Sequence, residues 1–176
     1  MTRSGRTGAR GRSRARRALG LALAVVVLAA AGGLGAETWG GLTPGETMRA
    51  GVETLYGRPS RERSLVEEGR TVAEWTYAGE RVPQGLERMV ISFGLAAGGR
   101  FAPDVVRSIV LYPKPHVFSF RSISNGWGPP DAVGTEEATG RPSFHYRTQG
   151  LFVIFDKTGS WAELLLFGPR QAAGGS

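Results

Sequence analysis

Tyr56-Gly57-Arg58-Pro59-Ser60 returns 71 positions later in the chain as Trp127-Gly128-Pro129-Pro130-Asp131. Each copy is followed by an aromatic-x-Tyr segment, which is Trp75-Thr76-Tyr77 in the first copy and Phe144-His145-Tyr146 in the second. Self-similarity at a near-constant spacing is typical of repeated structural units. The pattern therefore predicts a tandem pair of small modules, and it describes an architecture, not a chemistry.

Local patterns around the motif predict a helix followed by an antiparallel meander in each copy. Thr43-Pro44-Gly45-Glu46 has the spacing of a capping box at a helix start, and Gly57 is typical of a helix end. The offset of 71 places the second helix at 116–125, where a strand is the alternative. Alternating apolar residues predict strands, which in chain order are 71–77, 86–95, 104–112, 141–148, 150–156 and 159–167.

These elements indicate an α+β fold: a tandem repeat of a helix and a three-stranded antiparallel meander, after an N-terminal signal segment. Segment 58–70 is expected to contain a turn or a short helical stretch, and segment 131–140 is expected to be a loop. Modules of about 70 residues bury little surface alone, so the two are expected to share a core or an interface. The predicted organisation is a signal peptide or membrane anchor at 1–36, a linker at 37–42, module 1 at 43–112, module 2 at 113–168 and a flexible tail at 169–176.

The N-terminal segment has the composition of a leader. Residues 1–17 contain seven arginines and no acid, and an apolar run at 18–31 leads to small residues that end in Leu34-Gly35-Ala36. This order is typical of a secretory signal peptide, cleaved after Ala36 or Ala31. An uncleaved anchor is the alternative, because 18–36 is marginally long enough to span a bilayer. Cleavage predicts a periplasmic or secreted protein, and retention an inner-membrane anchor that faces the periplasm.

The charge and the cysteine count exclude several classes of function. The net charge of +7 reflects the seven leader arginines, because their removal from 22 basic residues leaves 15, against 15 acidic residues. The exported part is near neutral, so nucleic-acid binding is not expected. The chain has no cysteine, which excludes disulfides and thiolate metal sites.

Catalytic motifs are not evident in the sequence. The two histidines, His116 and His145, belong to different copies and have no acidic residue at a spacing typical of a metal site. No serine occupies a Gly-x-Ser-x-Gly elbow. We therefore predict no catalytic residue, no metal and no cofactor, and a protein that is not an enzyme.

The aromatic-x-Tyr segments contain the candidate binding residues. Trp75 and Tyr77 share one face of a strand, as do Phe144 and Tyr146 in the second copy. If the helices cover the opposite face, the four side chains form an open aromatic surface suited to a partner. The alternative is a core beneath the helix, which residue volume favours for Trp75 and Phe144. Tyr77 and Tyr146 are then the more plausible surface contacts.

A Thr-Pro-Gly helix start, a Tyr-Gly-x-Pro helix end and a meander that opens with aromatic-x-Tyr resemble the small outer-membrane lipoprotein modules of the β-barrel assembly machinery. They resemble also the tandem modules of β-lactamase inhibitory protein. The likeness covers 43–77 best and 126–167 less well. It implies a periplasmic or secreted module that binds other proteins and does not catalyse. The cysteines of both families are absent here, so neither lipid attachment nor β-lactamase inhibition is carried over.

The predicted function is therefore non-enzymatic binding of an unknown protein or envelope component after export. Contact with a membrane is expected only through the leader, if the leader is uncleaved. A small periplasmic hydrolase or ligand-binding protein, with a site between the modules that uses His145, is an alternative. A structural envelope protein held by its leader is a third.

We expect the exported protein to begin at Glu37, or at Gly32 if the earlier site is used, because small residues precede both positions. Intact-mass spectrometry of protein recovered from the native host measures this directly. A mass that retains the arginine-rich segment 1–17 would contradict cleavage and establish the anchor.

Overall fold

Eight strands form one antiparallel sheet, and alternating apolar residues build the six inner ones. A computed structural model describes residues 38–97 and 99–170. The leader predicted at 1–36 and most of the predicted tail lie outside these residues. In chain order the helices and strands are α1 (Arg49–Tyr56), β1 (Arg61–Glu67), β2 (Arg70–Ala78), β3 (Leu86–Ala97), β4 (Arg100–Pro113), α2 (Phe120–Trp127), β5 (Ala132–Thr135), β6 (Pro142–Tyr146), β7 (Leu151–Phe155) and β8 (Ala162–Phe167).

The sheet order is β1-β2-β3-β4-β8-β7-β6-β5. The predicted fold class is wrong, because four strands follow each helix and all eight belong to a single sheet, not to separate three-stranded meanders. The two unpredicted strands, β1 and β5, are the edges of the sheet. Both are largely exposed to solvent, so their sequences lack the apolar alternation that marks the inner strands. The six inner strands are confirmed.

One face of the sheet carries the core. Cross-strand pairing aligns buried side chains in two rows that run from β2 to β6. The first row is Trp75, Ile91, Ile109, Phe167, Leu151 and Tyr146, and the second is Tyr77, Met89, Leu111, Leu165, Val153 and Phe144. Val52 of α1 and Ile123 of α2 are fully buried in the same cluster. The expectation of a core shared by the two halves is therefore confirmed.

Helix α1 begins at Arg49, six residues after the predicted capping box at Thr43. The intervening residues pair with β4 instead: Gly45 donates its N–H to the carbonyl of Val106 at 2.8 Å, and Val106 donates to Thr47 at 2.8 Å. Backbone groups engaged with a distant strand are not free for the helix. The predicted helix start is wrong for this reason.

Helix α2 begins late for the same reason. Its predicted start was His116, but Ala162 of β8 donates to the carbonyl of Phe118 at 2.8 Å, and Phe120 donates to Ser160 at 2.8 Å. The helix starts after this pairing, and the hydroxyl of Ser119 caps it by accepting from the N–H of Ser122 at 3.0 Å.

A hydrogen bond in each half explains the repeated sequence motif. The hydroxyl of Tyr77 donates to the carbonyl of Gly57 at 2.9 Å, and the hydroxyl of Tyr146 donates to the carbonyl of Gly128 at 3.2 Å. Both glycines directly follow a helix and have positive φ, of 69° and 78°, where a side chain would be strained. Carbonyls at a helix end lack an intrahelical partner. The tyrosine of the aromatic-x-Tyr segment supplies one.

We expect Tyr77→Phe to lower the free energy of unfolding by about 1 kcal/mol, because the carbonyl of Gly57 loses its donor. Burial raises the pKa of Tyr77 to about 12, and the charge of Glu53 adds to this effect. An unfolded tyrosine ionises near pH 10, so the folded chain retains a proton that the unfolded chain releases. Wild-type stability should therefore decline as the pH rises from about 10 towards 12.

Urea unfolding, followed by tryptophan fluorescence at neutral and alkaline pH, measures both effects. Tyr112→Phe is the matched control, because that ring lies on the opposite face of the sheet. Equal unfolding free energies for Tyr77→Phe and the wild type would contradict the role of the hydroxyl.

Candidate functional site

The candidate site is the face of the sheet opposite the core, which we call the open face. Both helices pack on the core face, and the side chains that alternate with the buried rows point the other way. One cross-strand row on the open face spans six strands. Its members are Thr76, Val90, Val110, Leu166, Phe152 and His145, and all are partly exposed.

The centre of the open face is apolar. Val110 pairs with Leu166, which pairs with Phe152. Ile154 pairs with Leu164 in the adjacent row. These five side chains remain partly accessible to solvent. A group of neighbouring accessible apolar side chains on a sheet is typical of a surface that another molecule covers.

A depression of about 260 Å³ lies beside this centre, over strands β1 to β4. We call it the basic depression, because its lining includes Arg61, Arg63 and Arg88 together with Glu74 and Tyr112. The Nε atom of Arg63 lies 2.7 Å from a carboxylate oxygen of Glu74, and this hydrogen bond raises the pKa of Arg63. The guanidinium of Arg88 lies over the ring of Tyr112, 3.9 Å from its centroid.

An ion pair links the end of β1 to β4 across the sheet. Both carboxylate oxygens of Glu67, the last residue of β1, accept hydrogen bonds from the guanidinium of Arg107 on β4. The hydrogen bonds from Arg107 hold the pKa of Glu67 below its ordinary value.

Strands β2 and β3 are closely packed at Gly94, because a Cβ atom on this residue would lie 2.9 Å from Cγ1 of Val72.

A second depression, of about 510 Å³, lies near His145, Phe152 and Leu166. The Nε2 atom of His145 lies 3.3 Å from Oγ of Ser143, and its ring packs on Phe152 with centroids 4.6 Å apart. Ser143 is fully buried, so its hydroxyl is closed to a substrate. Across the stretches 38–97 and 99–170, no group of three or more His or acidic side chains is placed to hold a metal ion.

The four aromatic residues predicted as a partner-binding surface lie in the core. Relative exposures are 4% for Trp75, 0% for Tyr77, 6% for Phe144 and 1% for Tyr146. Their face is the one that the helices cover: Tyr56 of α1 packs against Tyr77, and Phe120 of α2 against Phe144. These residues therefore do not form an open surface, and the core alternative applies to all four.

The other histidine is not part of this face. His116 is exposed in the turn before α2, has a positive φ of 64°, and packs its ring against Trp161 with centroids 4.9 Å apart. The structure does not bring it to His145.

Sequence reasoning missed the residues of the open face. Arg61 and Arg63 lie in segment 58–70, for which the sequence predicts a turn or a short helical stretch, because the edge strand that they form lacks apolar alternation. Val110 and Leu166 carry a readable signal, because β4 and β8 have apolar residues at both odd and even positions.

No family model and no curated protein sequence matches the chain. The crystal structure of a DUF4309 family protein (YjgB) from Bacillus subtilis subsp. subtilis str. 168 is similar in chain path. The identity is 15%, the match covers 74% of this chain and 83% of that chain, and the TM-score is 0.47.

Within the described part of the chain, no helix is both long enough and apolar enough to cross a bilayer.

We expect Gly94→Ala to lower the free energy of unfolding by about 2 kcal/mol or more. The residue has φ of 96°, and the new methyl group would meet Val72 at 2.9 Å and the ring of Phe101 at 3.1 Å. Urea unfolding measures the loss. Gly69→Ala is the matched control, because that glycine also has a positive φ, of 73°, but has nothing within 4 Å of a Cβ atom. An equal loss in the two variants would mean that close packing at Gly94 has no separate effect.

Proposed function

We propose that this protein is an exported, non-enzymatic module that binds a protein or an envelope component through the open face of its sheet. The observation that carries the proposal is the accessible apolar centre formed by Val110, Leu166 and Phe152. Export is supported by the leader pattern at 1–36.

The energetics of the open face favour a partner. Apolar surface in contact with water is unfavourable by about 25 cal/mol per Å², and a partner that covers Val110, Leu166 and Phe152 recovers that energy. The backbone of these residues is already held by β4, β7 and β8, which pair inside the sheet. Binding therefore orders little of the chain, and a pre-organised surface loses less entropy on association.

We expect Leu166→Glu to reduce partner capture about tenfold or more, because a charge at the centre of a buried contact is poorly tolerated. The exported protein, immobilised through surface amines, is incubated with envelope extract of the native host. Retained proteins are quantified by mass spectrometry against a blank matrix. Urea unfolding of each variant establishes that the fold is intact before capture is compared.

Leu55→Glu is the matched control. Leu55 is 54% exposed on α1, so the substitution introduces the same charge on the helical side of the molecule, away from the open face. Its capture should equal that of the wild type. Undiminished capture by Leu166→Glu, or loss with Leu55→Glu alone, would refute binding through the open face.

A further inference from the structure

We propose that the basic depression is a subsite for a carboxylate side chain of the partner, so that the open face binds an acidic protein segment with apolar residues beside its acid. This inference rests on the proposed function and names the chemistry of the partner.

Three arginines converge from adjacent strands. Arg61 and Arg63 are two positions apart on β1 and so face the same side, opposite Thr76 and Glu74 of β2. Arg88 lies on β3, which pairs with the other side of β2, and its side chain lines the same depression. Three guanidinium groups over one small area repel one another, and a bound anion relieves that repulsion.

The depression has an excess of positive charge. Glu74 is the acid in its lining, and it pairs with Arg63. Among residues 38–97 and 99–170, the ion pairs include neither Arg61 nor Arg88. Two guanidinium groups thus remain available to an anion from outside.

The ring of Tyr112 orients one of them. The guanidinium carbon of Arg88 lies 3.9 Å from the centroid of that ring, and this contact limits the positions of the guanidinium before binding. A planar guanidinium matches the two oxygens of a carboxylate through parallel hydrogen bonds. The contact with the ring therefore reduces the ordering that carboxylate binding would otherwise require.

The position of Val90 favours a protein segment over a free anion. Val90 lines the basic depression and pairs with Val110 at the apolar centre of the open face. The two surfaces are continuous, and one ligand covers both only if it carries an acid next to apolar groups. At about 260 Å³, the depression accommodates a side-chain carboxylate. An aspartate or glutamate flanked by apolar residues meets each requirement.

Peptide selection tests this without knowledge of the natural partner. A phage-displayed random peptide library is panned on the exported protein, and enriched peptides are synthesised with a fluorescent label. We expect them to contain Asp or Glu beside apolar residues. Anisotropy should show about tenfold weaker binding to R61Q/R88Q than to the wild type. Replacing the peptide's acid with its amide should weaken binding to the wild type similarly, and added salt should weaken it too.

The double variant R100Q/R121Q is the charge-matched control. It removes two exposed arginines, one where β4 begins and one on α2, so an effect of net charge alone would appear in both variants. We expect its affinity to stay within about twofold of the wild type.

The outcomes separate this inference from the proposed function. The enriched peptides could lack acids, bind R61Q/R88Q as tightly as the wild type and bind Leu166→Glu more weakly. This result would overturn the proposal of a carboxylate subsite and leave binding through the open face intact. Peptides that bind Leu166→Glu undiminished, or no enrichment at all, would count against open-face binding itself.

Three further probes cover other occupants. Calorimetry measures the binding of inorganic phosphate, and co-sedimentation measures the binding of phosphatidylglycerol vesicles. Sedimentation velocity measures self-association of the chain. The inference would be overturned if one of these three occupants binds more strongly than the peptides and loses its binding in R61Q/R88Q. The depression would then be assigned to that occupant. Weak or absent binding of all three, with the peptide results above, supports it.

Discussion

Three residue pairs between β4 and β8 join the two halves of this protein into one sheet. Ile109 faces Phe167 and Leu111 faces Leu165 on the core side, while Val110 faces Leu166 on the other. Because successive residues of a strand point to opposite faces, this short ladder continues both core rows and also places the apolar centre of the open face at the junction. The shared core and the candidate binding surface thus depend on the same backbone pairing.

Each helix is tied to the core face at both of its ends. The segment before α1 pairs with β4 through Met48 and Val105, and the segment before α2 pairs with β8 through Ser119 and Trp161. A tyrosine hydroxyl from β2 or β6 binds the carbonyl that follows each helix. Since both helices are held on one side in this way, residues 38–97 and 99–170 provide no helical cover for the other side of the sheet. The accessible face is a consequence of how the helices are anchored.

The open face is divided into two regions of different chemistry. Strands β1 to β3 present arginines, whereas β7 and β8 present Phe152, Leu164 and Leu166. Apolar contact supplies most of the free energy of association, and paired charges add specificity and speed of encounter. The partner proposed for this face would therefore be selected by composition as well as by shape.

Neighbouring residues alone are enough to predict the six inner strands, from apolar alternation, and the end of α1, from Gly57. Tertiary structure alone decided where the helices begin, which edge strands form, and which face the helices cover. These depend on hydrogen bonds and packing between residues far apart in the chain, such as Gly45 with Val106. The alternation that placed Trp75 on one face is equally compatible with a core or a surface. Only the docking of α1 on that face makes it the core.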